Sequence, residues 1–208
     1  MKKDVEDFVQ QILGNVDALV TDSHIVYASG RHGAEYVNKD ALYPFTADLQ
    51  TVCDLMAEPF LKDKVEVVIG PAVEAAILAS RVAGRLKTKA VYAEKTADGS
   101  SFKIRKTFRK FIAGKRVLVV EDVLTTGNSI SKVIEEVRLL AGTVIGVSAI
   151  FNRGAVSAEA IGNVPKLSAL INLKLNSWDE ADCPLCKHAV PINTDVGNGE
   201  DFLARQKR

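Results

Sequence analysis

Two adjacent carboxylates, Glu121 and Asp122, stand at the end of a run of four apolar residues, Val117-Leu-Val-Val120. The run reads as a buried strand, so the acids emerge at its C-terminal end. Val123 and Leu124 follow, then a turn of small and hydroxyl residues (Thr125, Thr126, Gly127, Asn128, Ser129), and a helical pattern from Ile130. The first N–H groups of a helix, with its dipole behind them, make an anion site, and hydroxyls and a glycine let a phosphate reach the backbone. Glu121 and Asp122 repel such an anion and suit sugar hydroxyls or a cation instead. A phosphate beside a diol describes a ribose 5-phosphate. The spacing also fits a plain strand–turn–helix capped by Asn128 or Ser129, but that leaves two acids at the end of a buried strand unexplained.

Further stretches carry chemistry. Ile69-Gly-Pro-Ala-Val73 is a strand-end turn opening a helix, either a simple connection with Pro71 near the helix start or a second set of exposed backbone N–H groups. Glu94 to Gly114 spans about twenty residues between two strands and holds Lys95, Lys103, Arg105, Lys106, Arg109 and Lys110. Such a segment is a solvated basic hairpin or a flexible flap that closes over a departing anion and excludes water. Arg153, at a strand end, is a planar fork suited to a carboxylate or else a surface charge. Tyr36, after Ser29-Gly-Arg31, offers a ring that can stack on a planar base; the bland alternative is a β-turn with Arg31 as a surface charge. Cys183-Pro-Leu-Cys186, with His188 close by, lacks the four ligands of a zinc knuckle, since Cys53 lies on a helix face. Metal shared with a symmetry mate, a redox pair and a structural tail all fit; the tail is the expectation, and no metal site is assigned.

The elements that must position these groups follow from periodicity. Helices are expected at Val5–Leu19, Thr46–Leu61, Val73–Leu86 and Ile130–Leu140. Strands are expected at His24–Tyr27, Glu35–Val37, Val65–Ile69, Ala90–Ala93, Lys115–Val120, Val144–Phe151 and Leu167–Leu173. Continuous β-branched runs joined by helices predict an α/β fold, a mainly parallel twisted sheet flanked by helices, with ligands beyond the carboxyl ends of the strands. Gly70, Glu94, Glu121 and Asn152 all fall there.

With a net charge of +1, the chain offers no basic surplus for nucleic acid or an acidic membrane surface. Its apolar runs are too short to span a bilayer, and Met1-Lys-Lys leads into acids rather than a signal peptide. Three cysteines give no disulfide framework, so a cytoplasmic protein is expected.

The segment Val117–Ser129 resembles the phosphoribosyl-pyrophosphate (PRPP) motif of type I phosphoribosyltransferases: four apolar residues, two acids, an apolar residue, then x-Thr-Thr-Gly-x-Ser. The resemblance implies that Glu121 and Asp122 hold the ribose hydroxyls and steady developing positive charge, while Thr125 to Ser129 wrap the 5-phosphate, with Val123 and Leu124 also binding PRPP. It places a pyrophosphate loop at Ala72 and Val73, a PRPP lysine at Lys95, and catalytic flap residues at Lys103 and Arg105. Within the family, Ser29-Gly-Arg31, Gly70-Pro-Ala72, Arg153 and the Cys-Pro-Leu-Cys tail are most similar to orotate phosphoribosyltransferases. There Arg153, Tyr36, Ser29, Arg31 and Thr125 would contact the base. The pattern departs at Ala28 and Glu74, where orotate enzymes carry lysines, and in a flap without histidine. The implied protein is a single phosphoribosyltransferase domain over 1–208, with a hood mainly from 1–45 plus C-terminal contributions and a core of about 46–175. It would transfer the phosphoribosyl group of Mg²⁺-bound PRPP to orotate, as a homodimer sharing its flaps. A purine or other nucleobase acceptor is the alternative, and a PRPP-binding regulator without turnover a more remote one.

Overall fold

In the computed structural model, which describes residues 2–27, 29–173 and 176–206, each apolar run read as a strand becomes one. In chain order the first elements are α1 (Lys2–Asn15), β1 (Leu19–Val20), β2 (Ile25–Val26), β3 (His32–Gly33), β4 (Tyr36–Val37) and α2 (Thr46–Ala57). Then come β5 (Val67–Pro71), α3 (Glu74–Leu86), β6 (Lys89–Lys95), β7 (Phe102–Ile104), β8 (Arg116–Leu124), α4 (Asn128–Leu139), β9 (Thr143–Asn152) and β10 (Leu167–Asn172). The chain closes with β11 (Ser177–Trp178), α5 (Pro184–Lys187) and α6 (Gly199–Gln206). Among the described residues, no helix is long and apolar enough to cross a membrane. Two compact units result: Met1–Glu6 with Ala47–Leu173, and Asp7–Thr46 with Lys174–Arg208.

The larger unit is built on a six-stranded sheet of order β10-β9-β8-β5-β6-β7. All its pairings are parallel except the edge strand β7, which runs antiparallel to β6. The central strands are apolar on both faces because helices cover both faces. Val67, Ile69, Val117 and Val119 pack in one core with Ile130, Val133 and Val137 of α4. Ser148 of β9, also buried, donates to the Met56 carbonyl of α2, so the one buried hydroxyl in that strand is satisfied.

The structure differs from expectation in several places. The first helix ends at Asn15, and Leu19, expected at its end, instead opens β1. The motif strand does not stop at Val120: β8 runs on to Leu124, because β9 keeps pairing with it through Glu121↔Ala149, Val123↔Phe151 and Leu124↔Asn152. The basic segment after Glu94, expected as a solvated hairpin or a flexible flap, opens as a hairpin. Phe102 and Ile104, both buried, alternate with Lys103, and that period of two makes β7 the second arm of a hairpin. Buried Ile112 then anchors its return to β8.

The smaller unit holds a pair β1–β4 and a three-stranded sheet β11-β3-β2. The two sheets use very short strands, and the unit's segments from the two ends of the chain meet in β11–β3 pairing, Trp178↔His32 and Ser177↔Gly33. Val9, Leu13 and Ile25 form part of its apolar interior.

Candidate active site

Within the larger unit the sheet reverses its winding between β8 and β5. From β5 the chain moves outward to β6, and from β8 it moves the other way to β9. In open α/β sheets the crevice at such a reversal, beyond the strand ends, is where ligands bind. The two strands also part company here. Their register is Val67↔Val117 through Ile69↔Val119, whereas β8 itself continues for the whole of Val120–Leu124. The end of β5 and the acidic end of β8 therefore flank one gap.

Glu121 and Asp122 occupy the stretch of β8 that β5 leaves unpaired, still held by β9 on its other side, and are 9% and 5% exposed. Their carboxylates accept locally: the Asp122 amide donates to Glu121 Oε1 at 3.2 Å, and the Val123 amide to Asp122 Oδ1 at 2.6 Å. Two buried acids side by side suit hydroxyl donors or a hard cation and exclude a bare anion.

The turn behind them is open where a phosphate would enter. Thr125, Thr126, Asn128 and Ser129 are exposed, while Gly127 and Ile130 are buried beneath them. Gly127 is the N-cap of α4 at φ +77°, with no side chain capping the helix. Asn128 and Ser129 thus do not serve as caps. The Asn128 amide meets Thr126 Oγ1 at 3.3 Å, and Ser131 Oγ satisfies the Gly127 carbonyl at 2.9 Å. Gly127 is required twice over, because its φ is left-handed and a Cβ there would lie 2.5 Å from Ile161 Cγ2.

On the other side of the gap, β5 carries on through Pro71, and the Ala72 amide donates to the Ala93 carbonyl at 2.7 Å. Gly70 is pressed against the start of α3, where a Cβ would sit 2.4 Å from the Ala75 carbonyl oxygen. Val73 stands outside the sheet, 69% exposed, and half-buried Glu74 opens α3.

Lys95 ends β6, exposed beside the hairpin tip. The two flap residues beyond it are already engaged. Lys103 Nζ lies 2.9 Å from Glu136 Oε2 on α4, and the Ile104 amide donates to the same carboxylate at 3.3 Å. Arg105 forks onto Glu94, with Nε 2.7 Å from Oε2, and its guanidinium lies 5.6 Å from the centre of the Tyr92 ring. This fork holds the Glu94 carboxyl below the usual carboxylate range. Glu136 is a buried acid on the inner face of α4, a position where a hydrophobic residue is the ordinary choice. That misplaced charge was its signal in the sequence.

Arg153 is half-buried just past β9, and among the described residues its guanidinium has no carboxylate partner. Its position is set by Asn152, whose side chain closes a reciprocal pair with Val156, Nδ2 to the carbonyl and amide to Oδ1, both at 2.9 Å. Asn152 is thus a positioning residue that pattern reading places at a strand end without giving it a task.

The other base-contact candidates lie in the smaller unit. Tyr36 is in β4 and Ser29 in the turn before β3. Arg31 is tied to β11, donating from Nε to Ser177 Oγ at 3.0 Å and pairing with Asp179 at 2.7 Å. Ala28 lies outside the described residues.

The phosphoribosyl transferase domain matches residues 39–178. The chain is 35% identical over 184 residues to the orotate phosphoribosyltransferase of Caldicellulosiruptor saccharolyticus, covering 88% of this chain and 92% of that protein. It is 35% identical over 192 residues to the Thermotoga maritima orotate phosphoribosyltransferase, with coverage of 92% and 98%. The crystal structure of orotate phosphoribosyltransferase from Aeropyrum pernix superposes at a TM-score of 0.64 and 26% identity, over 79% of this chain and 93% of that one. The gap between β5 and β8, edged by paired acids and an uncapped helix start, sits in a chain that belongs to the type I phosphoribosyltransferase family and, within it, to the orotate phosphoribosyltransferases.

Proposed function

We propose that this enzyme transfers the 5-phosphoribosyl group of PRPP to orotate, giving orotidine 5′-monophosphate and pyrophosphate, a step of pyrimidine nucleotide synthesis. The observation that carries the reading is the pairing of buried Glu121 and Asp122 with the exposed, uncapped turn Thr125–Ser129. The turn takes the 5-phosphate on N–H groups and hydroxyls, and the acids take the ribose hydroxyls. Mg²⁺ enters with PRPP as part of the substrate, and the hard oxygens of the two acids suit its coordination shell.

At C1 the bond to pyrophosphate breaks, its electron pair leaving on the pyrophosphate. A ring nitrogen of orotate forms the new bond and sheds its proton. Cleavage runs ahead of attack, so the sugar passes through a cationic state. The protein's part is positioning and charge stabilisation, with no side chain acting as nucleophile. Glu121 and Asp122 face the developing positive charge. The amides around Ala72 and Val73, with Lys95, receive the pyrophosphate. Lys103 and Arg105 exchange their carboxylate partners for the leaving group when the hairpin closes. Arg153 forks onto the orotate carboxylate, which a purine lacks, and Tyr36 supplies an aromatic face for the ring.

Two features support a homodimer that brings the hairpin of one copy to the other's site. Val73 and Ile77, 69% and 41% exposed, lie on one side of α3. They border a groove of about 820 Å³ that continues past Arg81 and Tyr92 to Glu94 at the hairpin base.

The test is pyrophosphate release from PRPP and Mg²⁺ with a panel of bases. Release with orotate alone is expected. Release with hypoxanthine or adenine and not with orotate overturns the assignment, and PRPP binding without base-dependent release identifies a sensor instead.

A further inference from the structure

Against the expectation of a plain structural tail, Cys183 and Cys186 do not stand by themselves. The smaller unit brings both to His24 and His32, and the four potential ligand atoms lie within 4.8 Å of one another. His24 Nε2 is 2.9 Å from His32 Nδ1, 3.7 Å from Cys183 Sγ and 3.6 Å from Cys186 Sγ. Cys186 Sγ is 3.3 Å from His32 Nδ1. In a tetrahedral zinc site with ordinary bond lengths, ligand atoms are separated by about 3.3 Å for two nitrogens and about 3.8 Å for two sulfurs. The three nitrogen–sulfur separations fall inside that range, and the nitrogen–nitrogen separation of 2.9 Å lies a little below it.

The backbone explains why these four meet. His32 is in β3, hydrogen-bonded between β2 and β11, and His24 stands just before β2. Cys183 and Cys186 flank the first turn of α5, where Pro184 starts the helix and the Lys187 amide returns to the Cys183 carbonyl at 3.2 Å. His188 lies outside the cluster; it is exposed, with its ring turned onto the Pro184 carbonyl at 2.7 Å.

The hydrogen bonding around the cluster favours a cation at its centre. His24 Nδ1 is 2.7 Å from the Val190 carbonyl, which can only accept, so the proton is on Nδ1 and the Nε2 lone pair faces the cluster. Fixing a ligand imidazole through a backbone carbonyl is the usual outer-shell arrangement of metal sites. His24, His32 and Cys183 are buried and Cys186 is half-buried, so water does not satisfy them fully. A cavity of about 660 Å³ bordered by His24, Cys186 and Phe202 gives a path of entry.

We propose that His24, His32, Cys183 and Cys186 form a closed, tetrahedral, structural zinc site. Two thiolates and two imidazoles match the hardness and geometry zinc prefers, and four protein ligands leave no open position for catalysis. The site clips Cys183–Cys186 to the β2–β3 hairpin, joining the N-terminal and C-terminal segments of a unit whose sheets rest on strands of two residues. Small units of this kind draw much of their stability from such a clip. The sequence hid it because the two histidines precede the cysteines by about 150 residues, with the Ala47–Leu173 part of the larger unit between.

The test is metal content of the untagged, reduced, full-length protein by plasma mass spectrometry, followed by exchange with Co²⁺. About one zinc per chain is expected, and the cobalt form should show a thiolate charge-transfer band with strong tetrahedral d–d absorption. Cys183→Ser and His24→Ala should lose the band and the bound metal, whereas His188→Ala should keep both. If the Cys and His variants do not fold, the metal count and cobalt spectrum of the unaltered protein decide the matter. Less than a tenth of an equivalent of metal, a cobalt spectrum without thiolate character, or a Cys183–Cys186 disulfide in freshly purified protein overturns the proposal.

Discussion

The backbone of Gly154 lies directly against that of Thr125: a Cβ built on Gly154 would fall 1.5 Å from the Thr125 carbonyl oxygen. The amides of Arg153 and Gly154 both donate to the Leu124 carbonyl, at 2.9 and 3.1 Å. The segment carrying Arg153 is thereby welded to the Thr125–Ser129 turn, the proposed phosphate site. The spacing between the backbone of Arg153, the proposed base contact, and the proposed phosphate turn is set by main chain.

That contact leaves no room for a side chain. Gly154→Ala forces the two backbones apart and should destabilise the protein by about 2 kcal/mol or more. PRPP and orotate KM should rise together. Thermal unfolding and initial rates check this; a variant with unchanged KM values would show that the weld is not functional.

Arg153→Ala should raise the orotate KM by roughly tenfold to a hundredfold, the worth of a charge-assisted fork. The PRPP KM should stay nearly constant. Arg153→Lys should recover part of the loss at most, since an ammonium cannot match a carboxylate with two parallel bonds.

Asp122→Asn keeps the shape of the site and removes one acceptor charge. PRPP affinity and kcat/KM should each fall by about tenfold or more. Calorimetry with Mg²⁺-PRPP, set beside steady-state rates, separates ground-state binding from loss of transition-state stabilisation.

Lys103 and Glu136 separate a catalytic from a structural role. Lys103→Ala should lower kcat with little change in the PRPP KM if the lysine meets the leaving group. Glu136→Gln should loosen the hairpin instead, costing about 1 kcal/mol because Lys103 is 58% exposed. Faster hydrogen exchange at the Ile104 amide, which this carboxylate accepts, is the specific sign.

At the hairpin tip, bonds from Thr96 and Ser100 hold the Asp98 carboxyl down at about 2, against 3.8 ordinarily. The folded value is the lower one, so the stabilisation is complete above the ordinary carboxylate range and is lost as pH falls through about 2. A carboxyl-carbon NMR titration should find that low midpoint, and Thr96→Val should raise it.

The strands and helices of the larger unit were legible because parallel sheets write themselves as apolar β-branched runs. Glu121, Asp122 and the Thr125–Ser129 turn were legible for a different reason: acids at the end of such a run have no packing rationale. The extension of β8 to Leu124 was not legible, since it depends on which neighbour goes on pairing. The Phe102-Lys-Ile104 strand was hidden within a basic segment, too short for its alternation to stand out. Gly154 looks like any loop glycine until Thr125 is placed against it. His24 and His32 carry no local signal at all, because their partners arrive from the far end of the chain.

The most direct test of the central claim is product identification. The purified enzyme, incubated with PRPP, Mg²⁺ and orotate, should yield orotidine 5′-monophosphate and pyrophosphate in equal amounts, resolved by anion-exchange chromatography. Orotate left unconsumed while another base is ribosylated, or PRPP left intact with every base, would contradict it.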